Sequence, residues 1–375
     1  MKWKLGLIAA SAFALGTSAA HAADGSAAAL AEAALKSKSI GFLITDEVWG
    51  VYQTPEGKVE CPTGLNQWGP REQFKALFPE DGTKRTLVEG QLSREAASWF
   101  PTLEPDRFPF REAQGKIAYG LNLDGKVKDT DFTSPDGDKG IDNQLYRAIG
   151  CIEEYRGPTG ILHFLVNRYL RDFDYNRVMF EITKLDDLTN DPDVDVTILR
   201  GRDRPLADAT GNDIIPGGSQ RVDARWGKRY VQKLHGKIVD GVLMTDPADI
   251  SLPHAIFNSI PGEDSILGAR FQLKMTSERA EGVLAGYSDI DKWYWQLMHS
   301  WSTHHQSYGQ LSSPSLYKKL HELADGYPDP KTGKNTAISS ALQVKFTQVF
   351  IQHPPQEVAA KDSDQRATDT RPARH

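Results

Sequence analysis

The chain has 375 residues, and its content of 39% hydrophobic and 25% charged residues fits a globular protein with many loops. It carries 50 acidic and 44 basic side chains, a net charge of −6, which argues against a nucleic-acid partner. The length is enough for one large domain or two ordinary ones. The 32 glycines and 21 prolines favour a turn-rich, β-containing architecture over a helical bundle.

Residues 1–22 have the pattern of a cleavable secretory signal peptide. Lys2 and Lys4 precede an apolar stretch over 5–15, and residues 18–22 end in the small-x-small pattern that signal peptidase requires. The apolar stretch is shorter than the roughly 20 residues of a membrane-spanning helix, although an uncleaved anchor is the alternative. No cysteine follows the small residues, so a lipoprotein attachment site is excluded. We therefore predict a periplasmic or secreted protein whose mature chain starts near Ala23.

The chain has two cysteines, Cys61 and Cys151, and both lie in the part predicted to be exported. In an oxidising compartment such a pair forms a disulfide, whereas the alternative is two separate buried thiols. The bond would close a loop of about 90 residues and stabilise the fold by roughly 4 kcal/mol. The sequence contains neither Cys-x-x-Cys-His nor Cys-x-x-Cys, which excludes a c-type haem attached in the usual way and disfavours a thioredoxin-like redox role.

The hydrophobic periodicity predicts more strands than helices. Before residue 177 we expect helices over 25–37 and 142–155, and strands over 40–52 and 117–123. The segment over 161–172 is ambiguous, although its apolar residues suit a helical face. A β-rich region follows, with strands over 178–182, 194–198, 231–244 (interrupted by a turn at Asp240-Gly241), 271–275 and 282–287. Further on we expect helices over 292–301 and 315–325, a strand or helix over 337–351, and a polar tail.

These elements predict a mainly β fold, an antiparallel sandwich or distorted barrel with a helical C-terminal portion, α+β overall. The alternating rhythm of helix and strand in a doubly wound fold is missing. The expected domain organisation is a signal peptide over 1–22, a single large globular β-rich domain over 23–353 with C-terminal helices from about residue 290, and a disordered tail over 354–375.

Carboxylates at Asp136, Asp138 and Asp142, separated by Gly137 and Gly140, are spaced like those of loops that wrap calcium. Calcium takes six to eight oxygen ligands, and alternating aspartates on a tight glycine turn can supply several of them. The twelfth-position glutamate of an EF-hand is missing. These residues are candidate calcium ligands, but the imperfect spacing favours the alternative, a solvated turn in which Asp142 caps the following helix.

A second acidic segment over 186–195 links two predicted strands, so it is expected to be a hairpin loop that is either solvated or bound to a cation. A third segment, over 293–308, places His299, His304 and His305 among aromatic residues. Imidazoles there could ligate zinc or copper, but their spacing does not put them on one helical face. Ligand stacking on the aromatic rings and ordinary core packing are the alternatives.

No Gly-x-Ser-x-Gly elbow, dinucleotide fingerprint or phosphate-binding loop is present, so no nucleotide cofactor is expected. The sequence favours an exported binding or accessory protein for an unknown small-molecule or glycan ligand, with calcium as a candidate cofactor. The alternative is an extracytoplasmic enzyme, a hydrolase or metal-dependent enzyme that uses the region from His299 to His305. No nucleic-acid partner and no membrane span in the mature chain are expected.

Overall fold

The computed structural model describes residues 16–54, 56, 58–66, 110–156, 160–254, 262–299 and 313–355. Most of its strands belong to one large sheet. These are β1 Ser39–Trp49, β4 Val178–Thr183, β5 Asp191–Arg200, β6 Gly218–Arg221, β7 Gln232–Val239, β8 Val242–Thr245, β9 Ala248–His254, β10 Gly262–Met275, β11 Arg279–Asp289, β12 Gly326–Pro328 and β13 Asn335–Gln352. β2 Phe132–Thr133 and β3 Lys139–Ile141 form a separate hairpin.

The large sheet closes on itself as an antiparallel barrel. Its strand order runs β1-β4-β5-β7-β8-β10-β11-β13, and β13 pairs with β1 again, so eight strands form a ring. β7 and β8 are joined by a tight turn at Asp240 and Gly241, where φ is 50° and 74°. Positive φ at both turn residues is typical of the hairpin turns that match strand twist. The closed ring shows that the predicted sandwich-or-barrel fold is a barrel.

The barrel interior is filled with apolar side chains. Phe42, Phe180, Phe271 and Phe346 meet inside it, with ring centroids 4.8 Å apart for Phe180 and Phe346 and 5.1 Å apart for Phe42 and Phe180. An eight-stranded barrel is just wide enough for side chains to fill its lumen. The alternation of buried and exposed residues along strands such as β7 therefore follows directly from which face points inward.

Five α-helices of the described chain lie outside the barrel wall. They are α1 Gly16–Ser37, α2 Gln144–Ile149, α3 Ile161–Asp172, α4 Ile290–His299 and α5 Ser313–Glu322. Ala34 of α1 packs into the barrel core, and Ala27 accepts a hydrogen bond from Ser277 at the β10–β11 turn. α4 contacts β10 and packs in a second apolar cluster with α2 and α5. No helix in the described ranges is long and apolar enough to cross a membrane.

The predicted disulfide between Cys61 and Cys151 is confirmed, with the two Cα atoms 5.7 Å apart. It links the segment after β1 to the end of α2, and both sulfur-bearing side chains are buried in the second apolar cluster. The covalent bond therefore fixes Cys151 to the segment around Cys61.

Several local predictions need correction. The helical C-terminal portion is not confirmed: α4 and α5 lie there, but the chain then returns to the barrel as β13, its longest described strand. No strand forms over 117–123, where the structure has only isolated bridges. α2 is shorter than predicted, and its N-cap is Asn143, whose side chain accepts from the Tyr146 N–H, rather than Asp142. The predicted tail lies outside the described residues beyond 355.

Candidate functional site: a pocket at one mouth of the barrel

A cavity lies at the end of the barrel that faces α3 and α4. We call it the mouth pocket and define it by its polar and aromatic lining residues: Glu47, Trp49, Glu154, Tyr155, His163, His254, Asp264, Trp293 and Gln296. It encloses about 50 Å³ that water-sized molecules can occupy, room for roughly three or four waters. The pocket lies where the barrel core meets the second apolar cluster, because Trp49 packs against both.

Two β-bulges set which side chains point into this pocket. On β1 the register with β13 shifts between Ile44 and Asp46, so Thr45 is an extra residue. Since side chains alternate between the two faces of a strand, one extra residue reverses the inward set. Phe42 and Ile44 face the core before the bulge, and Glu47 and Trp49 line the pocket after it.

The second bulge lies on β10, between Ile266 and Ala269, where Gly268 has a φ of +57°. It separates the inward positions Asp264 and Ile266 from the apolar inward positions that follow it. On the neighbouring strand β9, Ile250 and Leu252 are buried and His254 continues the same alternation. Glu47, His254 and Asp264 thus occupy positions that elsewhere in the barrel hold apolar side chains.

One imidazole lies between two carboxylates in the pocket. His254 Nδ1 is 3.2 Å from Asp264 Oδ2 and 3.9 Å from Glu47 Oε1, and all three side chains are less than 15% exposed. Burial raises the pKa of Glu47 to about 7, although His254 opposes the rise. Burial also raises the pKa of Asp264. Burial thus makes it costly for these two acids to carry their charge, and a cation placed beside them would favour their ionised forms.

The Glu47 carboxylate accepts no hydrogen bond from any described residue; its backbone N–H donates to Asn167 Oδ1 on α3. Next to it, Asp46 points the other way, toward α3, where it lies 3.2 Å from His163 Nε2 and accepts from Asn167 Nδ2. α3 is therefore fastened to β1 by polar contacts with the two residues that directly follow the bulge. The two adjacent acids have different tasks: Asp46 anchors a helix, and Glu47 faces the cavity.

Aromatic rings form another part of the wall. Trp293 of α4 lies 6.1 Å from Trp49, with ring planes 73° apart, and 6.3 Å from Tyr155. Trp293, Gln296 and Leu297 all line the pocket because residues three and four apart share one face of a helix. The near-perpendicular tryptophans thus form an aromatic corner in the pocket wall.

Gln296 closes one side of the pocket in an unusual way. Its amide lies directly over Gly262, where a Cβ would come within 1.4 Å of Oε1. The Nε2 atom donates to the His254 carbonyl, but Oε1 is buried and accepts no hydrogen bond from the described residues. A buried amide oxygen without a donor costs free energy, so this atom is a polar group of the pocket residues that lacks a partner.

The disulfide positions the remaining wall. Glu154 and Tyr155 lie in a short 3₁₀ helix, Glu153–Tyr155, which begins two residues after Cys151. Arg156 follows, and its Nη1 donates to the Gly150 carbonyl. Burial raises the pKa values of Glu154 and of Tyr155. The covalent link thus supports a segment that carries both an acid and an aromatic ring to the pocket.

The structure does not gather the three predicted calcium ligands into one group. Asp136 and Asp138 are exposed, and Asp138 accepts from Ser134 Oγ. Asp142 is buried and accepts from the backbone N–H groups of Leu123 and Asp124. Calcium binding at these residues stays a prediction, with backbone amides now identified as partners of Asp142.

The second acidic segment does contain a candidate cation group. Within the described ranges, Asp193, Asp195 and His235 are the group of three whose ligand atoms lie within 4.8 Å of one another. The Lys184 ammonium lies 3.0 Å from Asp195 and 3.8 Å from Asp193, and its hydrogen bond lowers the pKa of Asp195. Because Lys184 already supplies a positive charge at this exposed site, a metal ion would have to compete with the Lys184 ammonium for the two carboxylates.

The predicted histidine region is described only in part. α4 ends at His299, whose side chain is not described, and His304 and His305 lie outside the described residues. The same segment nevertheless contributes Trp293 and Gln296 to the mouth pocket. If a ligand stacks on this aromatic stretch, as one of the sequence-based alternatives predicts, the mouth pocket is the place where it would bind.

Sequence reasoning missed Glu47, His254 and Asp264, although a signal was present. Ile250, Leu252 and His254 form an alternating run, and Asp264 is in phase with Ile266. An ionisable residue at the next inward position of an apolar alternation indicates a polar site in a core. Glu47 is harder to find, because the bulge at residue 45 breaks the alternation before it.

Comparisons of the chain with protein-family models, with curated proteins and with solved structures found no match. Its function therefore has to be argued from the site itself.

Proposed function

We propose that this chain binds a small molecule in the mouth pocket and does so outside the cytoplasm. The observation that carries the proposal is the placement of Glu47, His254 and Asp264 at inward barrel positions around a cavity. Burying such groups destabilises a fold unless they are paired, and apolar residues would serve a purely structural barrel better. A binding role accounts for this cost.

The cavity suits a ligand of few atoms. Aromatic rings, a buried amide and carboxylates surround about 50 Å³. An apolar wall with a few convergent polar groups is the usual composition of a small-molecule site. A glycan longer than one sugar unit exceeds this space, so the small-molecule alternative is favoured over the glycan one.

Two features support action outside the cytoplasm. Residues 1–22 carry the signal-peptide pattern. The bond between Cys61 and Cys151 is of the kind that persists in oxidising compartments. Detection of the N-terminus of the protein purified from its cells, by Edman degradation, tests this part; a start near Ala23 is expected, and an intact Met1 would contradict it.

Binding is tested by thermal melting against a panel of small cationic, neutral and anionic metabolites. A ligand of the mouth pocket raises the midpoint of the wild-type protein, because it binds the folded state only. The rise should be lost in Trp293→Leu and kept in Glu281→Gln, which changes an exposed glutamate of β11. A panel without hits, or hits that are insensitive to Trp293→Leu, would refute the proposal.

A second candidate function is acid–base catalysis at the same pocket, as an extracytoplasmic enzyme. The observation that favours it is the pairing of Asp264 with Nδ1 of His254, which orients an imidazole as carboxylates do in hydrolases. Glu47, with a pKa of about 7, is poised to exchange protons near neutral pH. Turnover of a panel hit that His254→Gln abolishes without loss of binding would favour the enzyme over the binding protein.

Calcium is proposed as a separate stabilising ligand of the segment from Asp136 to Asp142. Metal analysis of the purified protein and thermal melting with and without EDTA test it. A lower midpoint in EDTA that Asp138→Asn removes is the expected result, and an unchanged midpoint discards the site.

A further inference from the structure

The chemistry of the mouth pocket restricts its ligand more than its size does. Of the lining residues, His254 is shared by two carboxylates, at 3.2 Å from Asp264 and 3.9 Å from Glu47. The described residues place no lysine or arginine among the pocket lining. The charge that would complete the site is therefore positive.

The aromatic corner selects for the same charge. Trp49 and Trp293 meet at 73° with their centroids 6.1 Å apart. The face of an indole ring is electron-rich and attracts cations, most strongly where water is excluded. Trp293 is 7% exposed, so a cation against it would be largely desolvated.

A third group adds a hydrogen-bond acceptor. Gln296 is 5% exposed, lines the cavity, and its Oε1 accepts no hydrogen bond from the described residues. An ammonium N–H is the kind of donor that this oxygen lacks. A protonated amine can therefore pair with the carboxylate, contact the aromatic rings and donate a hydrogen bond to the amide oxygen.

We propose that the mouth pocket binds a small organic cation, a protonated amine of about five non-hydrogen atoms, with its charge beside Glu47 and its carbon atoms against Trp49 and Trp293. This inference rests on the proposed binding function and names its ligand class. An anionic or neutral ligand would leave the second carboxylate without a partner, whereas a cation neutralises it on binding.

The test compares two probes of nearly the same shape, isobutylammonium and isobutanol, by titration calorimetry at about pH 8, above the pKa of about 7 to which burial raises Glu47. We expect wild type to bind isobutylammonium at least about tenfold more tightly than isobutanol. Tetramethylammonium, which has no N–H, is expected to bind more weakly than isobutylammonium, because it offers nothing to Gln296.

Two variants give the matched comparison. Glu47→Gln keeps the shape of the side chain and removes its charge, so it should lower the affinity for isobutylammonium about tenfold or more and leave isobutanol unaffected. Glu281→Gln removes an exposed carboxylate of β11 and should leave both affinities unchanged. Circular dichroism and thermal melting establish that each variant is folded before it is titrated.

Equal affinity for the two probes in wild type, or a loss in Glu47→Gln that is the same for both, would overturn the cation proposal while leaving small-molecule binding intact. Failure of both probes to bind would also overturn it, and the metabolite panel then decides separately whether the pocket binds anything. Equal loss in Glu47→Gln and Glu281→Gln would show a general effect of net charge rather than a site, and would overturn it as well.

Discussion

Glu47→Gln should change the pH dependence of stability in a defined direction. Glu47 is an inward-facing acid with 12% of its side chain exposed, and burial raises its pKa from 4.5 to about 7. The folded state therefore binds a proton more tightly than the unfolded chain does. Glutamine has nearly the same shape but does not ionise, so the substitution removes this one titration.

The magnitude follows from the two pKa values. A change from 4.5 to about 7, at about 1.4 kcal/mol per tenfold change in proton affinity, corresponds to about 3 kcal/mol. Because the folded pKa is the higher one, the stabilisation is complete below about pH 4.5 and is lost as the pH rises through about 7. Above that pH, wild type carries the full cost of a buried carboxylate.

The assay is urea unfolding of both proteins at a series of pH values between about 4 and 9. Near the acidic end we expect similar free energies of unfolding, because Glu47 is protonated. At the alkaline end Glu47→Gln should be more stable than wild type by up to about 3 kcal/mol. Glu281→Gln, at an exposed position, is the control for a change in net charge.

The difference between Glu47→Gln and wild type isolates Glu47 and its coupling to the groups around it, namely Asp46, Glu154, His163, His254 and Asp264. A difference that stays constant across the whole pH range would refute the assignment of Glu47 as a buried, incompletely neutralised acid. A wild type that gains stability relative to the variant as the pH rises would refute it more strongly, since the sign would be reversed.

Three further substitutions test the fold around the pocket. Cys61→Ser with Cys151→Ser should lower the free energy of unfolding by about 4 kcal/mol, measured by urea unfolding, with reduced wild type as the comparison. Gly262→Ala should lower the free energy of unfolding by about 1 to 3 kcal/mol, because the added Cβ meets the Gln296 side chain. The loss should be much smaller in a Gln296→Ala background, and an equal loss in the two backgrounds would contradict the contact. Phe180→Ala should cost about 3 to 5 kcal/mol, and a smaller loss would mean that the barrel interior is not tightly packed.

The sequence predicted the fold where strands alternate cleanly and turns have a distinct chemistry. The segments around Val178 and Phe271 and the turn at Asp240-Gly241 lie where they were expected, because one buried face and a positive-φ turn leave a clear pattern. The 117–123 segment has similar alternation but pairs only through isolated bridges, so local pattern there did not decide the structure.

Closure of the barrel and the composition of the pocket were not predictable in the same way. Closure depends on β13 pairing with β1 across nearly the whole chain, which periodicity does not report. Glu47 reaches the pocket only because of the extra residue Thr45, and it meets His254 and Asp264 only through tertiary pairing. The disulfide was predictable because two cysteines allow a single intramolecular pairing.

The pairing of β1 with β13 also has a consequence for the order of folding. Gly41 lies opposite Val349, so the ring lacks its final seam until almost all of the chain is available. Contacts between residues so far apart in sequence are slow to form, because the entropy of the intervening loop is lost before the contact is made. A barrel of this topology stays open during synthesis from the N-terminus. That delay is compatible with the proposed export, since a chain that has not yet closed its barrel is easier to thread through a membrane channel than one that has.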